Sequence, residues 1–415
     1  MTEFHKMTDI GIIPNDWKVM TIKEVGHSFS YGVGAEAIPF DGKNKYIRIT
    51  DIDDESAQYH PSPIVSPSFF SEQHILKEGD IVVARTGASV GKSYLYNHID
   101  GRLIFAGFLM KFNVAGCNAP YLAYHLQTKQ YKQWVSTESA RTGQPGLNIE
   151  QLKQFSFPTP SNPSEQNGIA TVLTNVDSLI SSIEKAISKK RLMKEGAMQQ
   201  LLTSKVRLKG FNEPWVEMEL GELGIMKSGG TPSTNTPEYW GGNINWLQSG
   251  AVQNCVIYQE AVNLKITELG LSKSAAYLIS KDSVLIAITG ATCANIGYLT
   301  FESAANQSVV SIEPYKDTDA KFLYQKLLTE RDKILSNRGG SAQGGVTLNQ
   351  LKKLVITIPN NLEEQKSIAT ILKSMDDEIS ALEAERNKYI SIKQGMMQKL
   401  LTGQIRLPQS CLKEE

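Results

Sequence analysis

Apolar residues recur at alternating spacings of four and three along two stretches of the chain. The first stripe is Ile169, Leu173, Val176, Ile180, Ile183 and Ile187; the second is Ile368, Leu372, Met375, Ile379 and Leu382, resuming at Tyr389, Met396 and Leu400. A sustained 3.5-residue period is the narrow stripe of a coiled-coil seam, which needs a second helix against it. Lys190, Lys194, Arg386 and Lys393 interrupt the stripes toward their C-terminal halves. Asn162, Pro163 and Glu165 supply an N-cap, a first-turn proline and a capping-box partner, and Asn361 with Glu364 repeats the cap. Each stretch thus predicts a long helix, about 60 Å for some 40 residues at ~1.5 Å per residue. Between them lie Gly-rich segments with short β-branched runs, such as "YIRIT" (46–50), "IVVA" (81–84) and "LVITI" (354–358), which read as strands. The expected order is globular domain, long helix, globular domain, long helix, with each globular part strand-dominated and closed by a strand.

The two helical stretches are copies. Residues 165–208 align without a gap with residues 364–407 at a constant offset of 199, about 20 of 44 positions being identical. The obvious partner of each stripe is therefore the other, packed antiparallel. The globular segments match more loosely: "PNDWKVMTIKEVG" (14–26) with "NEPWVEMELGELG" (212–224), which sets Trp17 against Trp215, and "GDIVVARTGAS" (79–89) with "KDSVLIAITGAT" (281–292). "RTGQPGLNIEQLKQF" (141–155) matches "GSAQGGVTLNQLKKL" (340–354). Such self-similarity decides the architecture before any local signal does.

Composition narrows the class. A chain of 415 residues is long enough for two or three domains, and 41% hydrophobic with 21% charged residues is ordinary for a globular protein. The longest apolar runs, such as "SVLIAI" (283–288), are strand-sized, far short of the ~20 residues needed to span a bilayer. The N-terminal stretch has no apolar core of a signal peptide, and the four cysteines (Cys117, Cys255, Cys293, Cys411) lie far apart, so reduced thiols in a cytoplasmic protein are expected. Net charge is zero. Any nucleic-acid-binding surface must then be local or supplied by partners.

Candidate chemistry is thin. "ARTGASVGKS" (84–93) resembles a phosphate-binding loop, but Thr86 holds the first glycine position and Gly87 comes one residue late. Its counterpart "TGATCANIGY" (289–298) keeps Thr-Gly-Ala without Gly-Lys-Ser, and the residues after Ser93 read as another strand rather than a helix. The segment is expected to be a strand ending in a tight turn. Arg85, Ser89 and Lys92 in one copy face Ile288, Thr292 and Asn295 in the other, as two related reading surfaces would. All six histidines lie in the first globular part without metal-ligand spacing, so no metal site is expected and most read as surface or turn residues. No Asn-Pro-Pro-aromatic motif of an adenine methyltransferase is present.

Two similar domains at the ends of a stiff rod would make a caliper, and duplex DNA presents major-groove faces about 34 Å apart. The chain closely resembles the specificity subunits of type I restriction–modification systems over nearly its whole length. The resemblance rests on the helical repeats ending in "MQQLLTSKVRL" and "MQKLLTGQIRL", on the openings around Trp17 and Trp215, on "SGGTPSTNTPEYWGGNINWL" (228–247) and on the two "TGA" turns. The first domain departs from it, with "SYGVGAEAIPFDGKNKYIRI" (30–49) where Gly-Gly-Thr-Pro would stand.

The resemblance implies an α+β protein of two strand-rich target recognition domains (1–158 and 209–358), each followed by a helical spacer (159–208 and 359–415). It implies a non-catalytic subunit that reads a split, asymmetric DNA sequence and docks two modification subunits. S-adenosylmethionine chemistry would belong to those subunits, ATP and Mg to the restriction subunits, and no cofactor to this chain. DNA-contact candidates in the first domain are Tyr31, Lys43, Lys45, Arg48, Arg85, Ser89, Lys92, Arg141 and Gln144. In the second they are Lys227, Ser228, Thr231, Trp246, Gln248, Asn295, Arg338, Ser341 and Gln343, with the "SGG" amides (228–230) placed to approach a phosphate. Trp246 has a competing reading as a core residue. Gly143, Gly146, Gly344 and Gly345 are assigned to turn geometry. The basic run "KKRLMKEGAMQQLLTSKVRLK" (189–209) is either a solvated face or a surface for phosphates or an acidic partner. A coiled-coil scaffold with protein-binding ends stays open as an alternative, as does a nucleotide-dependent enzyme if the 86–93 loop were real.

Overall fold

A computed structural model describes residues 5–140, 146–337 and 344–408. The chain divides into two compact units, residues 1–184 with 384–415, and residues 185–383. The expected long helices are present as Pro163–Leu201 and Leu362–Leu400, 39 residues each, and each is divided between the two units.

In the first unit a four-stranded antiparallel sheet runs Gly26–Tyr31, Leu109–Val114, Asp80–Ala84, Ser93–Leu95 in spatial order. "IVVA" is apolar throughout because both faces of the sheet are covered. Ile81 and Val83 face a core shared with the helices Ala119–His125 and Lys129–Ser139, while Val82 and Ala84 face a smaller core with Ile47, Leu103 and Phe105. The second unit repeats the arrangement. Its five-stranded sheet runs Gly224–Ser228, Val309–Pro314, Val284–Ala287, Ile296–Leu299, Cys255–Ile257. Val284 and Ile286 point into one core, Leu285 and Ala287 into the other.

Each domain is closed by pairing its first strand with its last. Trp17–Thr21 lies antiparallel to Ser156–Pro160, and Trp215–Glu219 to Val355–Pro359, so each tryptophan sits opposite the proline just before a long helix. "YIRIT" gives a strand only over Lys45–Ile47; Arg48 then caps a short turn, Ile49–Asp51, through its ion pair with Asp51.

Within each unit the start of one long helix packs on the end of the other, which makes the pair antiparallel. Ile169 and Leu173 share a core with Met397, Leu400 and Leu401, and Ile368 and Leu372 with Leu201 and Leu202. Ile180, Ile183, Ile187 and Ile379 are buried as well, and Val176, Met375, Leu382 and Tyr389 are half-buried. The stripe is therefore a seam whose ends merge into the domain cores.

The expected capping boxes are not formed. Asn162 and Asn361 do cap, accepting the amides of Ser164 (3.0 Å) and Glu363 (2.9 Å). Glu165 and Glu364 instead turn inward, 3% and 1% exposed, and each takes an arginine from the end of the other repeat. Arg207 grips Glu364 with two bonds of 2.7 and 2.8 Å and lies over Trp215. Arg406 binds Glu165 and Asp16 and lies over Trp17. A buried carboxylate held by a guanidinium fork outweighs an exposed capping bond.

Three of the four interruptions of the stripes, Lys190, Lys194 and Lys393, have the same origin; among the described residues Arg386 bonds only its neighbour Asn387. Lys393 is buried against Asp177 at 2.7 Å, and Lys194 reaches Asp376 at 2.6 Å, the same pair with the repeats exchanged. In the second unit Lys190 and Arg191 pair with Glu378 and Glu383. Four of the seven basic residues of the run are matched by acidic residues of the second helix, so its docking reading applies only to the remaining Lys189, Lys205 and Lys209, all exposed.

Candidate nucleic-acid interface

The strand-and-turn reading of residues 84–93 is correct in detail. Asp80–Ala84 and Ser93–Leu95 pair across a turn in which Gly87 and Gly91 have φ of 75° and 85°. The turn amides are spent internally: Val90 on Gly87 O, Gly91 on Ala84 O and Lys92 on Ser89 O. A strand follows, so the helix N-terminus of a phosphate loop does not exist here.

Around this turn the first domain gathers several of the candidate residues. Tyr31 ends the edge strand opposite Met110, and the Arg85 guanidinium stacks on its ring, 4.5 Å from the centroid. The Arg85 amide donates to Phe108 O, and the Arg85 carbonyl accepts from Leu147, so Arg85 is bracketed by two neighbouring segments. Its Nε is buried with no acceptor, and no carboxylate pairs with it among the described residues. A stacked, uncompensated guanidinium at a surface is preorganised for a planar acceptor edge. Ser89 is half-buried in the same turn, and Thr86 pairs with Gly146. Beside Tyr31, a shallow hollow of about 510 Å³ is lined by Phe29, Tyr31, Asn148, Ile149, Glu150 and Lys153.

Three other candidates of the first domain are engaged elsewhere. Lys92 donates to Ile52 O and pairs with Asp54 at 2.6 Å, its side chain 12% exposed. Lys45 donates to Asp100 O, and Arg48 is held by Asp51, which raises the arginine's pKa. These cations are struts, since a side chain that leaves its partner to reach DNA loses that bond. Lys43 is exposed on a turn whose Asp41 carboxyl accepts the amides of Asn44 and Lys43 and is lowered by them to about 2. Arg141 and Gln144 lie outside the described residues.

The second domain has the same frame with other side chains. Ile288 donates to Ser308 O and accepts from Val346, as Arg85 does with Phe108 and Leu147. Ser228, opposite Val310, takes the place of Tyr31. Lys227 is exposed and stacks over Tyr277 at 5.2 Å, a cation–aromatic pair one position along the edge strand. Gln248 is exposed at the start of the short turn Ser249–Ala251, and Thr231 bonds Gln307. Arg338, Ser341 and Gln343 lie outside the described residues.

Three expectations for this domain are corrected. Trp246 is a core residue, 4% exposed, donating to Gly230 O at 3.0 Å and packed edge-on against Trp240. Asn295 is 8% exposed and bonded to Val252 O, Asn254 and Arg331, so it braces the turn from inside. The amides of Gly229 and Gly230 are not open to a phosphate: they donate to Val309 O and Ala305 O. A Cβ on Gly229 would come within 2.2 Å of Ala305 O, and one on Gly32 within 2.2 Å of Ala106 O. The first domain therefore keeps this close approach despite its departing sequence. Gly345 likewise answers close packing, its Cβ falling 2.5 Å from Ile288 O.

Sequence reasoning missed Phe108, 65% exposed beside Arg85, and Arg331, whose partners are remote in sequence. Of the six histidines, His125 is the one outside the surface-or-turn reading: it is buried between Tyr121 and Phe157, its pKa pushed down to about 3 by burial. Among the described residues no group of three or more His, Cys, Asp or Glu could hold a metal ion, and no helix is long and apolar enough to cross a membrane.

The family model of the type I restriction–modification DNA specificity domain matches the chain twice, over residues 14–190 and 212–391. The chain belongs to that family. DNA sequence recognition is the family's function, and its members are the non-catalytic subunits of their systems. This specificity subunit is 26% identical to a Methanocaldococcus jannaschii chain assigned as the type I restriction enzyme MjaX specificity subunit, over 98% of this chain and 97% of that one. It is 25% identical to the MjaVIII specificity subunit of the same organism, over 95% and 94%. In fold it is similar to the S subunit of the type I restriction–modification system from M. genitalium, with a TM-score of 0.62 at 18% identity, covering 97% of this chain and 99% of that one.

Proposed function

We propose that this specificity subunit reads a bipartite, asymmetric DNA site. Residues 1–158 recognise one half and residues 209–358 the other, and the helical segments 159–208 and 359–415 set the spacer and dock two modification subunits. Restriction subunits complete the complex; S-adenosylmethionine, ATP and Mg act on the partners, and the assembly works in the cytoplasm. The observation that carries this reading is the shared backbone frame around Arg85 and Ile288, which presents different side chains at the same place in each domain. Tyr31, Arg85 and Ser89, with Lys43 nearby in sequence, are the proposed contacts of the first domain, and Lys227, Ser228, Thr231 and Gln248 those of the second. Arg141, Gln144, Arg338, Ser341 and Gln343 stay in the proposal on their sequence alone.

With zero net charge and most helix cations paired, the isolated chain is expected to bind DNA weakly, phosphate contacts coming mainly from partner subunits. The test is single-molecule methylation mapping of host DNA with and without the gene. A split motif that vanishes on deletion, and of which only one half changes when residues 1–158 are exchanged for those of a relative, is the expected result. An unchanged methylome with an active modification partner would favour a protein-binding scaffold instead.

A further inference from the structure

Phe108 projects from the turn between the strands Leu103–Phe105 and Leu109–Val114 and is 65% exposed. Its backbone is held on both sides: Gly107 donates to Val33 O at 2.7 Å, Leu109 to Ala106 O at 2.8 Å, and Arg85 to Phe108 O at 3.0 Å. A phenyl ring left in water on a rigid turn gains nothing for folding. The same position of the second domain carries Ser308, whose carbonyl makes the matching bond to Ile288. The frame therefore does not require an aromatic residue. What distinguishes the first domain is the neighbour, since Phe108 adjoins the stacked Arg85–Tyr31 pair.

An arginine fork matches the O6/N7 edge of guanine, and an apolar side chain matches the 5-methyl group of thymine, the one apolar mark in the major groove. Backbones joined by a single hydrogen bond place two side chains at a separation suited to adjacent base pairs. Resting on the DNA-reading function proposed above, we propose that Phe108 is a specificity-determining contact of the first domain, its ring packing on the methyl group of a thymine beside the guanine read by Arg85. The second domain, with Ser308 and Ile288, reads no such step.

The experiment uses the complex reconstituted with its modification subunits and duplexes carrying the mapped site. Each thymine of the half-site read by the first domain is replaced in turn by uracil, which removes only the methyl group. One replacement is expected to weaken wild-type binding about fourfold, the worth of one buried methyl group. The same replacement should cost nothing in Phe108→Ala, and Phe108→Leu should retain part of the penalty. The other half-site should be read unchanged, and thermal melting should show Phe108→Ala folded. A half-site with no thymine on either strand overturns the proposal. So does a uracil penalty identical in wild type and Phe108→Ala. A loss in Phe108→Ala with no uracil-sensitive position also overturns it, because that is the signature of a ring wedged between bases. Failure of the DNA-reading function itself is separate, since the exchange of residues 1–158 would then leave the methylated motif intact.

Discussion

Around the central turn the two domains make the same bonds in the same order. Arg85 donates to Phe108 and accepts from Leu147; Ile288 donates to Ser308 and accepts from Val346; Gly32 and Gly229 both pass within van der Waals reach of a neighbouring carbonyl. The side chains on this frame share almost nothing. In the first domain Arg85 stacks on Tyr31 beside an exposed Phe108, where the second has Ile288, Ser228 and Ser308, with Lys227 on Tyr277 one step away. Backbone hydrogen bonds are indifferent to side-chain identity, so duplicated domains can keep a frame while their exposed tips diverge.

The divergence also reaches inside. On the central strands the first domain buries an ion pair, Lys111 with Asp80 at 3.2 Å, and Asp80 accepts from Asn113 and the Lys77 amide as well. The equivalent strand positions of the second domain carry Ser311 and Ser283, whose hydroxyls bond Tyr277 and Ser280 O. Asp80→Ala leaves a buried ammonium without its counter-ion and should cost about 3–5 kcal/mol, whereas Ser283→Ala removes one neutral bond worth about 1 kcal/mol. Denaturant unfolding followed separately in each unit by hydrogen exchange checks this, and equal costs would erase the contrast.

The helix clamps should instead behave alike. Arg406→Ala and Arg207→Ala each strand a buried glutamate and should each cost about 3 kcal/mol, in the first and second unit respectively. Glu165→Gln combined with Arg406→Ala should recover much of the loss. A large effect in one unit only would show that the repeat symmetry of the clamps is not energetic.

A third comparison uses pH. His125 is buried and neutral with its pKa lowered to about 3, and the corresponding residue of the second unit is Lys326, also buried but bonded to Leu202 O and Glu330. Above pH ~6.5 the imidazole is neutral whether folded or unfolded; below it the unfolded chain binds a proton that the folded chain refuses, so stability falls as the pH drops. From pH 7 to pH 5 the first unit should lose about 2 kcal/mol from this site. His125→Gln should abolish that part of the acid sensitivity in parallel titrations, leaving the second unit unaffected.

The smallest effect concerns recognition itself. Arg85→Ala should weaken discrimination at the first half-site about tenfold, the low end for a bidentate base contact. Ile288→Ala should leave the second half-site read as before. Methylation rates on matched and singly mismatched sites measure both.

Much of this was legible in the chain. The repeat at offset 199 announced both helices and their partnership, because a seam writes its period into every turn. The strands "IVVA" and "VLIA" were legible because burial on both faces demands an unbroken apolar run. Candidate contacts were harder. Lys92, Lys45 and Asn295 carry groups suited to DNA, yet each is committed to an internal partner at a sequence separation that no local pattern encodes: 40 residues from Lys92 to Ile52, 55 from Lys45 to Asp100, 43 from Asn295 to Val252. Trp246, a contact candidate, is buried, and Phe108, no candidate, is exposed, because neighbours from other segments decide which ring water can reach.

By itself, then, the amino-acid order determined the duplication, the two long helices, the strand cores and the family, since periodicity and repetition act through residues near one another. The swapped clamps of Glu165 with Arg406 and Glu364 with Arg207, the commitment of Lys45 and Lys92, and the clustering of Arg85, Tyr31 and Phe108 were decided only by tertiary structure. A charge or a ring acquires its role from what folding brings within a few ångströms of it, and those partners lie up to 390 residues away along the chain.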